Sequence, residues 1–466
     1  MIKKTVLKNI SYSFFANGIS LLISVFMVLV VPKFVSVYDY GIWQLFLFYF
    51  TYLGFFPLGL VDGIYLRFAG KKFDELDTKL FSGQYYFLLV WLFFISIVLL
   101  VIVYGFIDDS IKKMVLICSI VLIPIVNFNN LSNFIMQITN RIKNYAALVL
   151  LERISLAIVV FLFLLYGDRH FINLYYAKAI SVLLVCGMNL YFCRKLLKPN
   201  FYPLVEVLHE AKDNCMVGIK LLFANIASML IIGIIRFGIS EGWDVATFGK
   251  ISLILSISSF LMVCIDSISI VFFPILKHIE LSKLPNLYKK IRSGVDLAGF
   301  TFLLSYYPIH LILCWWLPQY TDSLFFMALL FPVCIFECKM SLLINTYLKS
   351  LREEYLIFKI NIISLAISGI ITYLVVNLIH NLIFAVISIT AIYAFRCILS
   401  ELYISNILNF RLQKDILADI FMVSSFMLIN CYLQSFRGML IYAAIYVFYI
   451  CFNKRSILSF YHVIRG

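Results

Sequence analysis

Lys220, Arg236 and Asp266 are ionisable groups set inside two otherwise apolar stretches, 215–237 and 251–276, joined by the polar loop GISEGWDVATFGK. In hydrocarbon each such charge needs water or a partner of opposite sign. An arginine in that setting can hold an anion through charge-assisted hydrogen bonds. Spacing adds neutral polar groups to the charges. At 100° per residue, Asn225, Ser228 and Arg236 share one side of the first stretch. Ser252, Ser256, Ser259 and Asp266 follow a 4-3-7 spacing on the second. Lipid-facing stripes are not polar, so both faces are expected to point inward. Packing between helices explains the serines equally well, because small hydroxyl residues hydrogen-bond across helices. It explains Arg236 less well, since a guanidinium cannot lose its charge. Binding in a polar, cationic cleft is the chemistry that these residues support.

The stretches that carry them belong to a chain of one kind throughout. Of 466 residues, 63% are hydrophobic and 13% charged, with a mean hydropathy of +1.00. Soluble domains hold roughly 45–50% apolar and about 25% charged residues. The chain is therefore expected to be an all-α polytopic membrane protein. Fourteen spans can be drawn, roughly 10–32, 41–61, 82–105, 113–138, 147–166, 173–193, 215–237, 251–276, 295–317, 324–347, 360–380, 382–405, 416–433 and 438–453. The first is read as a retained span, since no small-residue cleavage site follows it. With the N-terminus inside, inner segments hold 26 of the 38 Lys and Arg and outer loops hold 6, which predicts cytoplasmic termini. The net charge of +14 is thus an orientation signal rather than a nucleic-acid footprint.

Several functions are disfavoured. No P-loop is present. The longest outer loop is about a dozen residues, too short for the catalytic loop of a membrane polysaccharide polymerase, so no enzyme is expected. Cys334 and Cys338 lie four apart, but no His or further Cys joins them, and the eleven cysteines are read as apolar packing residues. No metal or cofactor is expected beyond H+ or Na+ as a coupling ion, for which Asp266 and Asp62 are candidates.

An internal repeat organises the spans. At an offset of 208, residues 15–53 fall on 223–261 with 11 of 39 identities, FANGISLLIS on FANIASMLII and Tyr40-Gly41 on Phe248-Gly249. Spans one to six and seven to twelve then form two bundles related by a pseudo-two-fold along the membrane normal. The expected layout is 1–193 as the first bundle, 194–214 as a cytoplasmic linker, 215–405 as the second bundle and 406–466 as two added helices with a tail. Ser13, Asn17, Ser20 and Ser24 make the polar stripe of span one, and Gln44, Thr51 and Asp62 that of span two. Arg236, Asn17, Asn225, Gln44, Ser256 and Ser259 are the candidate cavity residues. Lys220, Arg67, Lys71 and Lys72 form a candidate cytoplasmic basic rim, which the orientation signal explains equally well. Lys178, Glu337, Lys339, Arg396 and Glu401 are further charges within spans, read as structural ion pairs.

Four segments carry a resemblance: VPKFVSVYDYGIWQL, PLGLVDGIYLRFAGKKF, IIRFGISEGWDVATFGKISL and WWLPQYTDS. With them the chain resembles the polysaccharide-transport flippases, the O-antigen flippase type, of the multidrug/oligosaccharidyl-lipid/polysaccharide (MOP) superfamily. The resemblance implies a central cavity lined mainly by spans one, two, seven and eight. It also implies movement of an undecaprenyl-pyrophosphate-linked oligosaccharide from the cytoplasmic to the periplasmic leaflet of the bacterial inner membrane. Membrane lipids, a polysaccharide polymerase and a chain-length regulator are the partners it implies. In many relatives span seven ends in Asp-Arg; here Arg236 matches the Arg, and Ile235 stands in the place of the Asp. A multidrug or cation exporter and a peptidoglycan-precursor flippase of the same superfamily are the alternative readings.

Overall fold

The computed structural model describes residues 2–167, 169–198, 203–259, 283–433 and 436–454, with side chains from Gly18 onward and not at Glu354. Asp266 therefore lies outside the described residues, and so do the side chains of Asn17 and Ser13. Every regular element among the described residues is helical. The order is α1 (Ile2–Phe34), α2 (Val37–Thr51), α3 (Leu60–Phe68), α4 (Thr78–Phe106), α5 (Ser110–Ile138), α6 (Ile142–Leu165), α7 (Phe171–Phe192), α8 (Leu204–Gly242) and α9 (Val245–Ser258). There follow α10 (Leu284–Trp316), α11 (Phe325–Ser350), α12 (Tyr355–Ile379), α13 (Leu382–Ile407), α14 (Gln413–Tyr432) and α15 (Phe436–Phe452).

Ten of these helices are long and apolar enough to cross a membrane, or eleven if the bent pair α2–α3 counts as one span. Each of the fourteen expected stretches carries a helix, although stretch eight is described only as far as Ser259. The chain is a multi-pass membrane protein. Short polar residues start several helices by accepting hydrogen bonds from free N–H groups of the first turn. Asp77 accepts from Lys79 N at 2.9 Å, Asp109 from Ile111 N at 2.8 Å, and Asn381 from Ile383 N at 2.9 Å. Outward faces are apolar at helical spacing: Val90, Phe93, Phe94, Ile97 and Val101 of α4 are all exposed, as a lipid-facing stripe requires.

The chain divides into two compact units, Met1–Ile226 and Ala227–Gly466. The boundary falls inside α8, which begins at Leu204, so residues 204–214 are helical. In the first unit α5 packs against α2, α3, α4, α6 and α7. Buried amides on α5 join it to its neighbours: Asn127 Nδ2 donates to Leu53 O at 2.9 Å, and Asn129 Nδ2 to Val182 O at 3.0 Å. Such bonds hold helices together where the lipid supplies no hydrophobic drive. Two glycines permit backbone contact between α3 and the start of α8. A Cβ at Gly63 would stand 1.8 Å from Asn214 O, and one at Gly218 would stand 2.0 Å from Gly59 O. In the second unit α11, the most buried of the ten long helices, is surrounded by α9, α10, α13 and α14. It contains a π-helical turn at Lys339–Ile344.

The repeat reappears in the helix ends. The first helix of one pair stops at Phe34 and that of the other at Gly242, and their successors start at Val37 and Val245. All three differences between these boundaries and their counterparts respect the alignment register, because cap residues Ser36 and Asp244 also correspond.

Candidate functional site

Arg236 lies on the second-unit part of α8, and its Nη2 donates to Ser252 Oγ on α9 at 3.0 Å. The guanidinium carbon stands 5.4 Å from the centroid of the Phe248 ring, one turn earlier on α9. An aromatic face attracts a cation, so the two α9 residues fix the side chain by a hydrogen bond and a π contact. Arg236, Ser252, Ser256, Ser259, Glu337 and Tyr393 border one cavity of about 380 Å³ in the second unit, together with apolar residues of α8, α9 and α11.

The serines are not isolated hydroxyls. Ser256 Oγ donates to Ser252 O and Ser259 Oγ to Ser256 O, both at 2.8 Å. Each proton is thereby committed to the helix backbone, which leaves the oxygen lone pairs as acceptors. A ligand hydroxyl can donate to those lone pairs, while the Arg236 side of the same cavity attracts negative charge. Behind the cavity residue Glu337, Arg396 of α13 is buried and makes three contacts. Its Nε donates to Asn361 Oδ1 at 3.1 Å, its Nη2 to Ser228 Oγ at 3.3 Å, and its Nη1 reaches Glu337 Oε1 at 3.5 Å. The carboxylate at the cavity wall is thus paired with a cation.

The other candidate residues have different surroundings. Gln44 is buried and donates from Nε2 to Tyr40 Oη at 2.7 Å, one turn earlier on α2. Asn225 is an exposed residue of α8 within the first unit, and it is not among the residues bordering the Arg236 cavity. Asp62 is half-buried in the first turn of α3, and Lys220 is exposed. Arg67 donates to Glu210 Oε1 at 2.8 Å and to Asn214 Oδ1 at 2.6 Å, which ties α3 to α8. Lys72 pairs with Glu75 at 3.7 Å, and Lys71 stands 4.8 Å from the Phe68 ring centroid. Lys71 and Lys72 border a separate first-unit cavity of about 500 Å³ with Tyr65, Gln137, Thr139 and Asn140. The structure therefore brings Arg236, Ser256 and Ser259 together; Lys71 and Lys72 share a second place, and Arg67 is committed to Glu210 and Asn214 of α8.

Lys178, Glu337, Lys339, Arg396 and Glu401 are each paired. Lys178 Nζ meets Glu152 Oε1 at 2.6 Å in the first unit, and Lys339 and Glu401 belong to one buried cluster in the second. Spacing does not mark out Tyr393, because a tyrosine in an apolar span carries no signal distinct from packing. Among the described residues no group of three or more His, Cys, Asp or Glu could hold a metal ion.

No family model matches the chain, and no curated protein matches it. Solved structures do. Lipid II flippase MurJ in its inward closed conformation aligns over 97% of this chain and 100% of its own, with 16% identity and a TM-score of 0.61. A multidrug resistance MATE family transporter of the MOP superfamily, inward-facing, covers 84% and 98%, with 15% identity and a TM-score of 0.60. A MOP superfamily transporter from Pyrococcus furiosus, whose binding pocket is described as of reverse polarity, covers 86% and 96% with 16% identity and a TM-score of 0.54. The chain has the fold of MOP-superfamily transporters.

Proposed function

We propose that the protein is a flippase that moves an undecaprenyl-pyrophosphate-linked oligosaccharide from the cytoplasmic to the periplasmic leaflet, for O-antigen or other surface polysaccharide assembly. Arg236 at the wall of the serine-bearing cavity is the observation that carries this reading. The physical task is to bring a diphosphate and a sugar chain through hydrocarbon. A fixed guanidinium lowers the cost for the diphosphate, because hydrogen bonds between ions are roughly twice as strong as neutral ones. The hydroxyl lone pairs of Ser256 and Ser259 suit sugar hydroxyls, and the prenyl chain stays in lipid. The site is then exposed alternately to the two membrane faces. The protein sits in the bacterial inner membrane with both termini cytoplasmic, in keeping with the Lys and Arg bias, and works beside a polysaccharide polymerase and a chain-length regulator.

A peptidoglycan-precursor flippase is the second reading, favoured by the whole-chain likeness to lipid II flippase MurJ. Both substrates are prenyl diphosphates, so Arg236 serves either. An exporter of organic cations fits less well, because the carboxylate at this cavity, Glu337, is paired with Arg396 at 3.5 Å. Reconstituted vesicles loaded in turn with undecaprenyl-pyrophosphate oligosaccharide, lipid II and an organic cation separate the three. Translocation of the oligosaccharide lipid is the expected result. Transport of the cation alone overturns the proposal.

A further inference from the structure

Five ionisable side chains meet in the interior of the second unit, and none of them borders the Arg236 cavity. Arg292 and Asp296 come from α10, Lys339 from the π-helical turn of α11, Glu401 from α13 and Asp419 from α14. No side chain of the five is more than 5% exposed. Arg292 Nε meets Glu401 Oε1 at 2.7 Å, its Nη2 meets Glu401 Oε2 at 3.1 Å, and its Nη1 meets Asp296 Oδ2 at 2.7 Å. Lys339 Nζ meets Asp296 Oδ1 at 2.6 Å. Asp419 Oδ2 accepts from both Arg292 Nη2 and Lys339 Nζ.

Two cations thus face three carboxylates. If all five were ionised, one negative charge would be left over in a dry interior, where an uncompensated ion is strongly unfavourable. The geometry locates the surplus. Both oxygens of Glu401 and both of Asp296 are engaged by cations, and so is Asp419 Oδ2. Asp296 Oδ1 and Asp419 Oδ1 are both buried without a hydrogen bond among the described residues; Lys339 stands 2.6 Å from the first, while the cations on Asp419 meet its Oδ2. A metal ion fits poorly there, because hard cations gather several oxygens and five of the six carboxylate oxygens are already taken. A proton needs one oxygen, balances the charge and leaves Oδ2 as an acceptor for both cations.

We propose that this cluster is a binding site for a single proton, held on Asp419 Oδ1. The occupied cluster is neutral: two cations, two carboxylates and one carboxylic acid. Among the described residues, the other titratable groups that face it are Tyr288 on α10, Cys397 on α13, Asp415 one turn before Asp419 on α14, and Tyr449 on α15. Asp415 is half-buried, so water can support its charge independently of the cluster. Because the four helices that meet here include α14, the proton joins the end of the chain to the body of the second unit. This inference does not depend on the identity of the transported molecule.

Infrared spectroscopy of the purified full chain at neutral pH tests it. The wild type is expected to show the C=O stretch of a protonated carboxyl group. Asp419→Asn is expected to abolish that band without lowering the thermal unfolding midpoint, since an amide mimics the neutral acid. Asp62→Asn should leave the band in place. Lys339→Met should enlarge it, because removal of a cation calls for a second proton; should that variant fail to fold, the wild-type spectrum and Asp419→Asn still decide. A wild-type spectrum without the band overturns the proposal, as does a band that survives Asp419→Asn. An unfolding midpoint raised by NaCl over choline chloride, with no protonated carboxyl, overturns it in favour of Na+.

Discussion

Helix pairs α1–α2 and α8–α9 share their boundaries and alignment register but settle their polar groups in opposite ways. In α2, the Gln44 amide donates to the Tyr40 phenol at 2.7 Å, a contact between neutral groups. The corresponding α9 positions, Ser252 and Phe248, both turn to Arg236, one through a hydrogen bond and the other through its ring. Val28 stands where Arg236 stands in the other pair. One scaffold thus carries a neutral amide–phenol contact in one copy and a positioned cation in the other. A duplicated frame keeps the helix ends, which caps and loop geometry fix, while a few side chains decide which copy carries a positioned cation.

Four substitutions probe that difference. Arg236→Ala removes the cation and has the largest expected effect. Loss of a charged hydrogen-bonding group costs about 1.5–3 kcal/mol, so transport of the lipid-linked sugar should fall about 10- to 150-fold while the protein still inserts. Surface polymer at wild-type level in a strain carrying this variant would remove Arg236 from the mechanism. Val28→Arg places a charge in the pair that lacks one. Insertion of a mid-span arginine costs roughly 2.5–3.5 kcal/mol, and the expected result is reduced accumulation in membranes, read by immunoblot, with no gain of transport. Gln44→Leu removes the amide hydrogen bond to the buried Tyr40 hydroxyl. Thermal stability in detergent should drop by about 1–3 kcal/mol, with transport per folded molecule unchanged. Phe248→Leu removes only the ring beneath the guanidinium. A cation–π contact contributes about 0.5–1 kcal/mol, so transport should fall only about two- to fivefold.

Much of this was legible from hydropathy and register. Fourteen apolar stretches carry helices, and the 208-residue offset appears in both sequence identity and helix ends. Spacing puts Arg236 on the polar side of one stretch and Ser256 and Ser259 on that of the next, and the structure sets all three on one cavity. Partners were harder to read. Arg67 reads as part of a basic rim, yet it is tied to Glu210, 143 residues away, and spacing along one helix cannot show a contact between two. The proton-site cluster shows the same limit. Lys339 and Glu401 stand out as charges within spans, whereas Arg292 lies in an expected inner segment and becomes buried because α10 starts at Leu284. Asp419 falls near the end of a span, where averaged hydropathy barely registers a single carboxylate. Hydropathy locates a charge along the membrane normal, and only packing reveals which other charge it meets.

Binding of a prenyl diphosphate sugar to the solubilised protein, with the matching prenyl alcohol as control, tests the role of the α8–α9 pair most directly. The expected result is that Arg236→Ala weakens binding of the diphosphate about 10- to 150-fold and leaves binding of the alcohol unchanged. Equal affinity of wild type and Arg236→Ala for the diphosphate would contradict a cationic headgroup site in the second unit.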